Sequence, residues 1–298
     1  MSRRNDLVPI HGNYHGYYSK RPFTEDRRLG LLPKDLFAGK RVLDVGCNEG
    51  LVTCQIGVSA PHIPRVWPAL TGQPAEPAQS LAARKVVGVD IDEALVRAAW
   101  KRRRAVWSQQ APPDALCAPS NGDERAGTKR RRGASPEAAR APCADYFSAS
   151  CEHMFGPLPV PAHTTRPDAF PHNVTFRAAD WVAAEVAEDA EGYDVVVAFS
   201  ISKWIHLNGG DEGLMRFFRR VHAVLRSGGV FVLEPQPWDT YGKAKRMDAR
   251  LKETAKNLKI RPDDFPRILQ EIGFGEADHR GETGEGGFHR PIDLYRKR

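Results

Sequence analysis

The chain has 298 residues, 23 of them Pro and 26 Gly, with a mean hydropathy of −0.49. That length can bury a sizeable core as one large or two small domains, although the Pro and Gly load argues against packing throughout. A net charge of +7 and a pI near 9.2 favour an anionic partner, nucleic acid first, while no apolar run reaches the ~18 residues of a membrane span or forms the core of a signal peptide.

The first strong element is VLDVGCNEG, residues 42–50. Its apolar residues predict a buried strand, Arg41–Val45, that stops at Gly46 and turns at Gly50 toward a helix. The pattern is D-x-G-x-x-x-G, not the G-x-G-x-x-G loop that cradles a pyrophosphate on a helix N-terminus. An acid, Asp44, just before the glycine turn suits a ligand with an ammonium group and no phosphate, such as S-adenosylmethionine. An ordinary strand–turn–helix would carry the same glycines. Residues 59–84, rich in Pro and Ala, read as an insertion. Strand Lys85–Asp90 and a helix over 93–107 follow. The helix carries the basic run 101–104, and a second run occupies 129–132. Such runs read as solvated tails or localisation signals. Residues 108–171 are aperiodic and read as a second insertion, both insertions at least partly disordered.

Further strands are predicted at Val174–Ala178, Tyr193–Phe199 and 230–234, with helices over 211–225 and 262–272. The alternation predicts a parallel sheet with helices on both faces. The tail, 273–278 and 288–296, reads as a closing antiparallel pair. The five cysteines are odd in number and form no C-x-x-C, which fits a reducing compartment and no zinc or disulfide framework.

Ligands of open α/β sheets bind beyond the carboxyl ends of the strands. The first strand ends in Asp44 and Gly46-Cys47-Asn48. The second ends in Asp90-Ile91-Asp92, where Asp90 can accept both ribose hydroxyls and Asp92 can cap a helix. The third ends in Asp180-Trp181, an acid for an adenine amino group beside an aromatic for the ring face, or else a surface Asp and a core Trp. The fourth ends in Phe199-Ser200. Three acids at three strand ends strengthen the S-adenosylmethionine reading. No N-P-P-[YFW] follows the fourth strand, so base-amino methylation lacks its marker. Instead SISKWIHLNGGDEG (200–213) and EPQPWDTYGK (234–243) supply Lys203, His206 and Lys243, and the N-terminus supplies GNYHGYY (12–18) with Arg21, Arg27 and Arg28. Such a mouth suits an anionic group. Each has a plainer reading: a solvated Lys203, a structural His206, core Trp204 and Trp238.

These segments, with EDRRLGLL, VGVDID and GFHRPIDLY, resemble the RNA methylphosphate capping enzymes of the bicoid-interacting-protein type. The resemblance spans both ends of the chain and skips the two insertions. The sequence departs from it mildly at Ser202 and Trp181, and more at the long 59–84 insertion. The resemblance implies a class I methyltransferase fold, Rossmann-like α/β, with a seven-stranded mostly parallel sheet and a C-terminal antiparallel pair. Residues 1–40 would form a lid over a methyltransferase domain, 41–298. The implied activity is S-adenosylmethionine-dependent methylation of the 5′-terminal phosphate of a small non-coding RNA, without a metal or a membrane, by a monomer that ribonucleoprotein proteins could join. A nuclear or cytoplasmic setting is implied, the nucleus favoured. By carry-over, Tyr18, Arg28, Gly46, Cys47 and Asn48 would hold the cofactor with Asp90, Ile91, Asp180, Trp181 and Phe199, beside Asp44 as read from its place before the glycine turn. Tyr17, Lys203 and Lys243 would grip the terminal phosphates, with Arg21 and His206 beside them. An RNA-binding assembly factor and a small-molecule O-methyltransferase are the competing readings.

Overall fold

The computed structural model describes residues 8–18, 26–58, 81–108, 153–162, 166–283 and 290–298. They divide into two compact units, one within residues 1–103 and 163–298 and the other within 104–162. In the smaller unit Arg104 Nε donates to the Leu158 carbonyl at 2.8 Å.

The larger unit is organised by a seven-stranded sheet of order β3-β2-β1-β4-β5-β7-β6. Five strands are parallel: β1 (Arg41–Val45), β2 (Lys85–Asp90), β3 (Val174–Ala178), β4 (Tyr193–Phe199) and β5 (Leu225–Glu234). β7 (Arg290–Arg296) runs antiparallel to β5 and to β6 (Asp278–Thr283). The helices are α1 (Leu51–Gly57), α2 (Glu93–Ser108), α3 (Ser202–Val224), α4 (Tyr241–Ala244), α5 (Ala249–Asn257) and α6 (Phe265–Ile272).

The period-2 geometry of a strand sends alternate residues of the central strands to opposite cores. Val42 and Val195 join Val52 and Ile56 of α1 and Val96 of α2. Leu43, Val45 and Val196 join Leu214, Phe217 and Phe218 of α3. Both faces are therefore apolar, as a covered parallel sheet requires. The strand order reverses between β1 and β4, so a crevice opens beyond their carboxyl ends.

Several boundaries differ from the sequence reading. The helix expected over 211–225 begins at Ser202 and breaks at Gly210 (φ 67°, ψ −170°). The early part folds because Trp204 and Leu207 find a third core of their own, with Tyr241, Leu251 and Leu258. Two of those partners belong to α4 and α5, helices that the sequence reading did not contain. β5 starts at Leu225, not 230; the register shifts between Tyr193↔Leu225 and Val195↔Val230, so Ser227-Gly228-Gly229 forms an irregularity within the strand. The helix expected over 262–272 opens as a 3-10 turn, with α6 proper beginning at Phe265. The first tail strand lies at Asp278–Thr283, not 273–278, because Phe274 is drawn fully into the core.

The first basic run is not a solvated tail throughout. Arg102 Nε donates to the Glu49 carbonyl at 2.8 Å, and Arg103 Nη1 donates to the Val174 carbonyl at 2.8 Å. The second run lies outside the described residues, as does most of each expected insertion.

Candidate active site

Beyond the ends of β1, β2, β4 and β5, with residues 11–18 over them, lies a cavity of about 910 Å³. That is within the range of small-molecule and cofactor sites.

One part of the cavity is built from β1 and β2. Asp44 is 3% exposed and accepts from Thr53 Oγ1 at 2.6 Å. Burial pushes its carboxyl up to about 6, against that bond and the pull of Arg28. A buried acid facing a cavity is stabilised by a ligand cation. Gly46 has φ +80°, and a Cβ there would sit 2.2 Å from Ile201 Cγ2, so the turn admits no side chain. Asn48, also left-handed at φ 50°, donates its backbone N–H to Asp90 Oδ2 at 2.8 Å; Asp92 N–H donates to Asp90 Oδ1 at 3.0 Å. A carboxylate offers about four acceptor sites, so acceptor capacity remains for a ligand hydroxyl. Burial raises the Asp90 carboxyl in spite of those bonds. Ile91 is 41% exposed and lines the cavity, an uncovered apolar wall suited to a ring face. Burial, then Asp90 and Asp44, push the Cys47 thiol well up, which makes it a wall rather than a nucleophile.

Asp180 is exposed in the cavity wall and accepts from Val182 N–H at 3.0 Å. Trp181 reaches the same wall but is 2% exposed. Its Nε1 donates to Asp189 Oδ2 at 3.0 Å, and Arg220 lies 4.6 Å from its ring centre. Trp181 is therefore core, and Ile91 is the more open apolar surface.

Arg28 spans to the next strands. It donates to Asp26 Oδ2 at 2.7 Å and to Glu234 Oε2 at 2.8 Å, and its guanidinium lies 4.4 Å over Phe199. Its Nη2 also donates to the Tyr18 hydroxyl at 3.4 Å; burial drives that phenol's pKa far up. Tyr17 packs edge-on against Tyr18 at 5.0 Å. The segment carrying both tyrosines is tied down by Asp92, which accepts from Asn13 Nδ2 at 2.8 Å and lies 2.9 Å from His15 Nε2. The other oxygen of Asp92 caps α2 through Ala94 N–H at 2.8 Å.

The opposite part is cationic. Lys203 is 7% exposed in the wall, and its Nζ donates to Thr240 Oγ1 at 3.2 Å. Burial first, then Arg290, pushes its ammonium down to about 8. Lys243 stands exposed on α4 at the same wall. Arg290, at the head of β7, is buried there and donates to Ser200 Oγ, which donates to Glu234 Oε2. Gln236 fixes the turn from β4 into α3: its Oε1 accepts from Ser202 Oγ and from Lys203 N–H, each at 3.0 Å.

The structure does not bring His206 to the cavity. It is fully buried, with Nε2 2.7 Å from Asp211 Oδ1 and Nδ1 3.3 Å from the Tyr241 hydroxyl. Burial lowers its pKa, and it ties α3 to α4. Arg21 lies outside the described residues. The sequence reading missed Gln236 and Arg290 as site residues, although EPQPW and GFHRP contain them. Among the described residues no group of His, Cys, Asp and Glu is placed to hold a metal ion.

Residues 193–297 match the family model described as Bicoid-interacting protein 3 (Bin3). The chain is 36% identical over 306 residues to the mouse (Mus musculus) 7SK snRNA methylphosphate capping enzyme, and 33% identical over 302 residues to the human (Homo sapiens) protein of that name. These alignments cover 99% and 96% of this chain but 42% and 39% of the relatives, so the chain spans about two fifths of their length. The U6 snRNA methylphosphate capping enzyme Amus of Drosophila melanogaster is 28% identical, over 99% of this chain and 77% of that protein.

Proposed function

We propose that the chain is a member of the Bicoid-interacting protein 3 (Bin3) family, whose model it matches over residues 193–297, and that it methylates the 5′-terminal phosphate of an RNA with S-adenosylmethionine as donor. One observation carries the reading. A single cavity joins a pocket for a cationic nucleoside (Asp44, Asp90, Ile91) to a cluster of cations (Lys203, Lys243, Arg290).

The residues present fit the cofactor. Asp44 needs a positive partner, Asp90 has acceptor capacity left for a ribose hydroxyl, and the Gly46 turn leaves room for close approach. Bound there, S-adenosylmethionine supplies an electrophilic methyl group on a sulfonium. The chain's own residues do the rest. A terminal phosphate has a second pKa near ~6, so at neutral pH its oxygen is already anionic and no general base is required. Lys203, Lys243, Arg290 and Tyr17 hold and aim that oxygen. It forms the O–C bond as the C–S bond breaks, the bonding pair leaves on sulfur, and the phosphate ends with one negative charge fewer. Because the attack consumes charge, the cations serve orientation more than charge stabilisation. His206 and Gln236 position α3 and α4 behind them.

One chain supplies every named group, so a monomer suffices, and ribonucleoprotein proteins would engage the RNA outside the cavity. The buried free thiols of Cys47 and Cys54 suit a reducing compartment, with the nucleus the fitting one for a small non-coding RNA substrate. The test is incubation with methyl-labelled S-adenosylmethionine and RNAs that differ only at the 5′ end. Label should enter 5′-phosphorylated RNA and not a 5′-hydroxyl RNA of the same sequence. Equal labelling of both would overturn the proposal. RNA binding without any labelling would favour an assembly factor.

A further inference from the structure

We propose that the segment 243–259, which carries α4 and α5, is a track for the body of the RNA beyond its 5′ end. The inference rests on the phosphate-methylating reading above and adds a second binding surface to it. Between Lys243 and Lys259 the chain exposes seven cations against two acids, Asp248 and Glu253. Arg250 lies 3.5 Å from Asp248, and Lys256 lies 2.6 Å from Glu253. Among the described residues no ion pair involves Lys243, Lys245, Arg246, Lys252 or Lys259. Exposed like charges repel one another, so a strip of this kind is stabilised by an anion laid along it.

Two further observations favour a nucleic acid that continues from the cavity. The strip begins at the cavity wall, which Lys243 and Met247 both line. It is also held in a fixed place, because Tyr241, Leu251 and Leu258 anchor it on Trp204 and Leu207 of α3, the helix that carries Lys203. A phosphate gripped by Lys203 and Lys243 therefore has the rest of its chain leaving beside α5. That helix is about 13 Å long at 1.5 Å per residue, roughly the span of four phosphates of one duplex strand at ~3.4 Å each. The basic run on α2 is a poorer track, since Arg102 and Arg103 are engaged internally.

The test uses the full chain and the triple variant Lys245→Ala/Arg246→Ala/Lys252→Ala, three exposed residues that do not line the cavity. Two probes are compared, a 5′-triphosphorylated RNA hairpin and a 5′-triphosphorylated dinucleotide. The slope of log affinity against log salt for the hairpin should become shallower by about 2–3 in the variant, since each lost phosphate contact removes ~0.7–0.9. KM for the hairpin should rise, while both kinetic parameters on the dinucleotide stay at wild-type values. An unchanged slope and unchanged hairpin KM would overturn the track and leave this segment to an acidic protein partner. If wild-type protein labels neither RNA, the proposed reaction fails, and the salt slope alone decides the track.

Discussion

Lys203 and Asp44 are buried charges on opposite parts of one cavity, and their pKa values separate binding from folding. Burial and Arg290 bring Lys203 down to about 8. It holds its proton below that value and, as the proposed phosphate ligand, would lose its grip above it. We therefore expect kcat/KM for RNA to fall as pH rises through about 8, with S-adenosylmethionine affinity flat over the same range. Lys203→Ala should abolish transfer and leave cofactor affinity near normal; full turnover in that variant would remove Lys203 from the mechanism. Between about 8 and 10.5 the unfolded chain carries the extra proton, so this group's contribution to stability rises with pH there. Asp44 runs the other way. Its carboxyl sits at about 6 against an ordinary 3.8, so above 6 it is charged in both states and its burial weakens the fold. As pH falls from about 6 to 3.8 the folded state takes up the proton first and that cost is relieved. Asp44→Asn keeps an acceptor for Thr53 and removes the charge. It should hold or raise stability, by up to ~3 kcal/mol at neutral pH, while S-adenosylmethionine binds tenfold or more weakly. Calorimetric melting and cofactor titration on the same sample check both halves.

The elements that place these residues differ in how legible they were. The first four strands of the sheet stood out in the sequence because strands buried on both faces are short, continuous and β-branched. β6 did not: its residues are almost all exposed, and its position follows from pairing with β7. α5 was invisible for a related reason. Leu251 alone of its nine residues is buried, so it carries no apolar stripe, and it folds because Leu251 meets Trp204 and Leu207 across the chain. In the site, the glycine turn and the strand-end acids were readable because their chemistry is local. Gln236 was not, since its value lies in reaching the 200–203 turn. The N-terminal segment depends on one such contact as well. Gly12 has φ +75°, and a Cβ there would lie 2.2 Å from Trp204 Nε1. Gly12→Ala must displace that segment, against both sterics and backbone strain. We expect raised Kd for S-adenosylmethionine and raised KM for RNA, with a change in Tm of no more than a few degrees, since few core contacts are lost. Faster proteolytic cleavage within residues 8–18 would register the displacement directly, and wild-type binding of both ligands would show that the segment is no lid.

At the scale of the whole molecule, the antiparallel strand β7, set between β5 and the edge strand β6, has a consequence for the chemistry. Parallel strands deliver only their last residues to the crevice, whereas β7 runs the opposite way beside β5 and delivers its first. Pairing of Leu233 with Asp293 sets the register that carries Arg290 past Glu234 to the cavity wall. The fold thereby adds a third cation to Lys203 and Lys243 from a segment that is remote in sequence from both. Its charge acts on Lys203 through the cavity as the second cause of that group's lowered pKa. Arg290→Gln keeps an amide donor on a shorter side chain and deletes the charge. Two effects should separate. RNA KM should rise at every pH, because a phosphate ligand is lost. The alkaline limb of kcat/KM should move upward from about 8 toward the ordinary lysine value, because the repulsion is gone. A structural role alone would lower activity evenly and leave the limb in place. Measurement of kcat/KM from pH 6 to 10 in the two proteins therefore decides whether β7 contributes charge to the site or merely closes the sheet.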